Sequence, residues 1–191
     1  MMNTTPTQDQ IDQFVAACHG NFEVVREQLA KQPELLNTRS SLDESPLGAA
    51  AHVGNREIAE YLIEQGADVD LPAVAMLGDL AAIEGLVDHD ADAANGVGAH
   101  GIPVLFHAVA GGSVAAVELL LEHGAAPVTV TGSESGALNM AAARGHGAMA
   151  RWLLDHGAPT DNTDFQNKTP IERAEEGGFT EIAEMIRDAR R

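Results

Sequence analysis

The stretch Ser45-Pro46-Leu47-Gly48-Ala49-Ala50-Ala51-His52-Val53-Gly54-Asn55, followed by Glu57-Ile58-Ala59-Glu60-Tyr61-Leu62-Ile63-Glu64-Gln65-Gly66-Ala67-Asp68, decides the fold. Ser45 is a helix cap, and Pro46 sits in the first turn, where its missing N–H costs no hydrogen bond. Ala50 and Ala51 keep this inner helix thin enough for a neighbour to approach closely. Gly54 allows a tight turn into a second, outer helix. Ile58, Leu62 and Ile63 at i, i+4 and i+5 give that helix its apolar stripe, and Gly66 stops it.

The pattern recurs along the chain. Gly20, Gly54, Gly78, Gly112, Gly145 and Gly178 each close a small-residue helix and open an amphipathic one, at a spacing of roughly 33 residues with one exception. A unit of this kind cannot bury its apolar face alone and must stack on copies of itself. Unit one carries Phe14-Val15-Ala16-Ala17-Cys18-His19-Gly20-Asn21, then Val24, Val25 and Leu29. Unit four has Leu105, Ala108 and Gly112, then Val117-Glu118-Leu119-Leu120-Leu121-Glu122-His123-Gly124-Ala125. Unit five has Leu138-Asn139-Met140-Ala141-Ala142-Ala143-Arg144-Gly145-His146 and Trp152-Leu153-Leu154-Asp155-His156-Gly157-Ala158. Unit six has Thr169-Pro170-Ile171 and a helix through Ile182, Met185 and Ile186.

These residues resemble the ankyrin repeat, whose pattern runs Thr-Pro-Leu-His-x-Ala-Ala-x-x-Gly-His, then a Leu-Leu helix, then Gly-Ala-Asp. The resemblance covers residues 11–186 and is nearest to small prokaryotic single-domain members. It implies an all-α ankyrin-repeat solenoid of about six helix-turn-helix units, acting as a binding module. The expected organisation is an irregular tail over residues 1–10 and one repeat domain over residues 11–191.

The departures are local. From Gly54 to Gly78 the interval is about ten residues short, and Asp70 runs directly into Leu71-Pro72-Ala73-Val74-Ala75-Met76-Leu77. The inter-repeat hairpin between units two and three is therefore deleted, while unit one carries a lengthened Gln32-Pro33-Glu34-Leu35-Leu36-Asn37-Thr38. Pro103-Val104 and Phe106 in unit four, and Gly136-Ala137 in unit five, replace the pattern's Thr-Pro and His.

With 29 acidic against 11 basic residues the net charge is -18, which repels nucleic acid and anionic membrane surfaces. The lone Cys18 allows no intrachain disulfide, and neither a signal peptide nor an apolar run of membrane-spanning length is visible. These features point to a monomeric cytoplasmic protein.

The family resemblance implies a binding face made of hairpin tips and the outward positions of the inner helices. By register the inner-helix positions are Cys18, His19, His52, Val53, Met76, Leu77, Ala110, Gly111, Ala143, Arg144, Glu175 and Glu176. The tips are Ser41, Leu42 and Glu44, then Ala99, His100 and Ile102, then Gly132, Ser133 and Ser135, then Phe165, Gln166 and Lys168. From these, Leu42, Glu44, His52, Val53, Met76, Leu77, His100, Ile102, Arg144, Phe165 and Lys168 are expected to contact a protein or peptide partner. The apolar half of this face is the kind of patch that marks an interaction site. The missing hairpin should leave a notch floored by His52, Met76 and Leu77, between the tips of Leu42 and His100. The plainer expectation is that the neighbouring units lean in and fill it.

No catalytic residue, cofactor or metal is expected. His123 and His156 suit outer-helix C-termini, His146 is the repeat's own, and His89 lies in an acidic stretch. His19, His52, His100 and His107 lack the H-x-x-x-H or H-E-x-x-H spacing that fixes two ligands on one helix face. A small-ligand or metal-dependent activity at the notch, built on His52, His100 and a nearby acid, is the alternative reading. Cys18 and His19 are helical neighbours that point about 100° apart and do not pair. Gly96-Val97-Gly98 lacks the rest of a phosphate loop, and Asp161-Asn162-Thr163-Asp164 lacks the spacing of a calcium loop.

Overall fold

The computed structural model describes residues 5–90, 92–127, 130, 132 and 136–190. Twelve α-helices lie among them: α1 (Gln8–Cys18), α2 (Phe22–Lys31), α3 (Pro46–His52), α4 (Arg56–Glu64), α5 (Leu71–Leu77), α6 (Leu80–Val87), α7 (Val104–Gly111), α8 (Val114–Glu122), α9 (Ala137–Ala143), α10 (Gly147–Asp155), α11 (Pro170–Glu176) and α12 (Thr180–Ala189). Odd-numbered helices are the inner members of six pairs and even-numbered helices the outer ones. The only bridge between extended backbones among the described residues is Val97 with Pro103.

The caps follow the sequence. Ser45 and Asp70 accept from the backbone N–H groups of Gly48 and Ala73, with Pro46 and Pro72 in the first turns. Thr169 forms a capping box with Glu172. A second capping box, Thr7 with Gln10, starts α1 at Gln8, so the helix begins within the stretch expected to be irregular. Side-chain amides tie successive units: Asn37 Oδ1 accepts from Asp68 N at 3.0 Å, and Asn95 both accepts from Ala126 N and donates to Gly124 O. Where units four and five lack the pattern's Thr and His, other groups take over. His107 Nδ1 lies 3.0 Å from Pro103 O, and Asn139 donates to the carbonyls of Asn162 and Lys168.

The stack is irregular at unit three. From unit three onward the turn glycine of one unit faces the residue after the turn glycine of the next: a Cβ on Gly78 would meet Ser113, one on Gly112 would meet His146, and one on Gly145 would meet Phe179. Gly54 breaks this series, because a Cβ there would lie 2.4 Å from the carbonyl oxygen of Ala110, in unit four. Units two and four thus touch across unit three, and α5 is wedged between α3 and α7. Every residue of 71–76 is buried. Ala73 and Met76 pack into the core of units one and two, while Leu71, Val74 and Ala75 pack into the core of units three to six. A helix apolar all round is buried all round.

This placement corrects one expectation. Met76 is fully buried, not exposed on the binding face, and Ala110 is buried with it. With the hairpin gone, α7 closes on α5 until a Cβ on Gly111 would lie 1.7 Å from Met76 O. The notch is filled, as the plainer expectation held.

Trp152 is 8 % exposed within the core of units three to six and stacks on His156, whose Nδ1 lies 2.7 Å from Trp152 O. Truncating Trp152 to Ala should cost on the order of 3–5 kcal/mol in urea unfolding. Gly111→Ala should cost about 1–3 kcal/mol, because the added methyl strikes backbone that cannot yield. Gly85→Ala is the control. It sits in the interior of α6 with open space around its Cβ position, so the same substitution should stabilise by about 0.5–1 kcal/mol. Equal effects at the two glycines would contradict the close approach of α5 and α7.

Candidate functional site

The hairpin expected to present Glu44 at its tip instead turns it inward. Ser40 accepts from Leu42 N and Glu44 N through its hydroxyl, and its own N–H donates to Glu44 O, so the turn closes tightly around Asp43 in a left-handed conformation. Leu42 is left 73 % exposed, whereas Glu44 is 3 % exposed. Glu44 is therefore not a surface contact residue, which corrects the expectation from register.

Three imidazoles converge on this carboxylate. His19 caps the C-terminus of α1 and brings Nε2 to 3.6 Å from Glu44 Oε2. His52 ends α3 and brings Nδ1 to 2.8 Å from Oε1. His100 reaches the same oxygen at 3.2 Å through Nε2, from a 3₁₀ turn over Ala99–Gly101 in which it holds φ +57. The rings meet edge to face, His19 with His52 at 4.9 Å and His52 with His100 at 5.3 Å between centroids. His100 can reach this point because the intervening hairpin is missing: Ala99 stands against Gly48, so the tip between units three and four abuts the entrance to α3.

Burial alone would raise the Glu44 carboxyl, but the close approach of His52 and the charges of His52, His19 and His100 outweigh it and hold the carboxyl below its ordinary value. Cys18 is buried alongside. Burial, then the Glu44 carboxylate, push its thiol well above the ordinary range, so it is a poor nucleophile.

The C-terminal half is open where the N-terminal half is closed. Asp164 accepts from Gln166 N, Lys168 N and Arg173 Nε, shaping the hairpin between units five and six. Burial opposes ionisation of Asp164, yet the Arg173 guanidinium and the two backbone N–H groups hold its carboxyl below the usual range. This hairpin lifts Phe165 to 92 % exposure beside a cleft of about 450 Å³ lined by Phe106, Met140, Ala143, Asp164 and Arg173. Lys168 pairs with Glu176 at 2.8 Å, and Arg144 is exposed. Val53, Leu77 and Ile102 are part-buried. Ser133 and Ser135 lie outside the described residues.

His146 reports on the joint between units. Its Nε2 lies 3.1 Å from Ala110 O, the carbonyl that Gly54 also approaches. Burial, opposed by that hydrogen bond but aided by Arg144 and Arg56, depresses its pKa. A histidine depressed in the folded state gives stability that is complete above its unfolded value near 6.5 and is lost as pH falls through its folded value. Urea midpoints should therefore fall from pH 7.5 towards pH 5, less steeply in His146→Gln. Met76→Asp should unfold units two to four, giving a lower melting temperature and a reduced helical signal.

Among the described residues no helix is long and apolar enough to cross a membrane. Profiles described as "Ankyrin repeats (3 copies)" match residues 71–164 and 105–190, and one described as "Ankyrin repeat" matches residues 43–74. The chain is 28 % identical over 193 residues to the nuclear factor NF-kappa-B p105 subunit of Gallus gallus, covering 90 % of this chain and 19 % of that protein. It is 35 % identical over 85 residues to diacylglycerol kinase zeta of Rattus norvegicus and 36 % over 86 residues to diacylglycerol kinase iota of the same species. Each of those matches covers 44 % of this chain, and 9 % and 8 % of the respective kinases. The chain thus spans less than a fifth of the length of these relatives. With helix pairs, turn glycines and profiles in one register from residue 43 to residue 190, the chain belongs to the ankyrin-repeat family.

Proposed function

We propose that the chain is a non-enzymatic, monomeric cytoplasmic module that binds a protein or peptide on the face formed by its hairpin tips and inner helices. The observation that carries this reading is Phe165, an aromatic ring left 92 % exposed on a hairpin pinned by Asp164 and Arg173. Aromatic side chains on a rigid support lose little entropy on binding and anchor interfaces. Phe106 and Met140 in the adjoining cleft supply an apolar floor, and Arg144 and Lys168 lie within the expected set of contacts. Leu42, at 73 % exposure, is a second apolar tip towards the N-terminal end. Val53, Leu77, Ile102, His52 and His100 join the surface through their exposed edges. Glu44 and Met76 do not, being buried.

The test is co-purification from the source cells with wild-type protein, Phe165→Asp, Leu42→Asp and an outer-helix control, Glu122→Lys. Phe165→Asp should abolish capture of the wild-type partner, Leu42→Asp should weaken it, and Glu122→Lys should leave it intact, all with unchanged helical spectra. Capture that survives Phe165→Asp but is lost in Glu122→Lys would place the partner on the outer helices and overturn the reading.

A further inference from the structure

We infer that Glu44, His52, His19 and His100 form a structural binding site for a divalent transition-metal ion of the zinc type. The ligand atoms of His19, Glu44 and His52 all lie within 4.8 Å of one another. Zinc bonded to nitrogen or oxygen at about 2.0–2.1 Å in tetrahedral geometry sets its ligand atoms about 3.3 Å apart. The observed separations from the carboxylate oxygens, 2.8, 3.2 and 3.6 Å, bracket that value.

The closest contact in the cluster is also its most buried. Glu44 Oε1 and His52 Nδ1 are both buried and only 2.8 Å apart, yet neither meets hydrogen-bond geometry with any described group. A buried carboxylate is costly unless its charge is met, and a cation held by it and the imidazole nitrogens around it would meet that charge. The donors are imidazole nitrogens and one carboxylate, a set that suits zinc and its neighbours and not the all-oxygen cages of calcium or magnesium.

With His100 joining the other three, the chain would supply four protein ligands, which would close a tetrahedral site and mark it as structural, with no position open for substrate. His100 stands outside the three whose ligand atoms lie mutually within 4.8 Å, and would complete the set by rotation of its 40 % exposed side chain, whose Nε2 is already 3.2 Å from Glu44 Oε1. Ions can enter on that side and past His19, whose side chain is 36 % exposed, while His52 at 15 % and Glu44 at 4 % form the floor. The ligands come from the end of α1, the hairpin before α3, the end of α3 and the hairpin before α7. A bound ion would clasp units one, two and four across the joint where the hairpin is missing.

The test is a zinc titration of the chelator-stripped 191-residue chain by calorimetry, in excess magnesium to occupy the acidic surface. It needs no partner, so its outcome is independent of the proposed function. The wild type should bind one zinc per chain and melt at a higher temperature with it. Glu44→Gln and His52→Ala should weaken binding at least about a hundred-fold, and His100→Ala at least about ten-fold, since even the outer partners of metal ligands carry effects of that size. His89→Ala should leave it unchanged. If Glu44→Gln fails to fold, the more exposed His100→Ala and His19→Ala decide in its place. Wild-type chain that takes up no zinc under these conditions, or equal affinity in the ligand variants and wild type, would overturn the site and leave a plain carboxylate and imidazole cluster.

Discussion

The close approach of α7 to α5 is the constraint on which the rest of this molecule depends. The backbone at Gly111 lies against the carbonyl of Met76 so tightly that no side chain could stand between them. That contact exists because about ten residues that would space unit three from unit two are missing. Unit three then has no hairpin of its own to hold its neighbours apart. Its inner helix sinks between two cores and joins them, Met76 and Ala73 on one side, Leu71, Val74 and Ala75 on the other. In an array where each unit otherwise contacts only its neighbours, the meeting of Gly54 with Ala110 couples units two apart.

Much of this architecture was legible in the chain. The turn glycines, the Ser45-Pro46 and Thr169-Pro170 starts and the leucine-rich outer helices each have one mechanical meaning, and the structure places them accordingly. The deletion was legible too, from spacing alone. The burial of Met76 was not, because register treats every inner helix as having a solvent face. The available signal was composition: Leu71-Pro72-Ala73-Val74-Ala75-Met76-Leu77 offers no polar residue for water, unlike α11, where Glu172, Arg173, Glu175 and Glu176 alternate with Ile171 and Ala174.

The histidine and glutamate cluster shows a second limit of sequence reading. His19, Glu44, His52 and His100 span about eighty residues and obey no local ligand spacing, since no two lie one turn apart on the same helix. Their meeting is a product of stacking. His19 and His52 occupy neighbouring positions in successive units, Glu44 is turned inward by the Ser40 hairpin, and His100 arrives only because the hairpin that would separate it from Glu44 is gone. The deletion drew attention to His52 and His100 with a nearby acid. It gave no means of seeing that Glu44, read as an exposed tip, is that acid.

The same deletion divides the face that a repeat array offers to a partner. Around units one to four, tips and inner helices turn towards one another, so residues that register would make contact points become the interior of a joint: Glu44 and Met76 are lost to the surface and His52 largely so. Around units five and six the hairpin stands free. The Asp164 carboxylate accepts from Gln166, Lys168 and Arg173, which stiffens the turn that carries Phe165, 92 % exposed, at its tip. Exposing a phenyl ring to water is unfavourable, and Phe165 shares with Phe106 and Met140 the lining of one open cleft. The N-terminal joint draws units two and four together, and the C-terminal hairpin holds Phe165, the most exposed large apolar side chain among the described residues, outward.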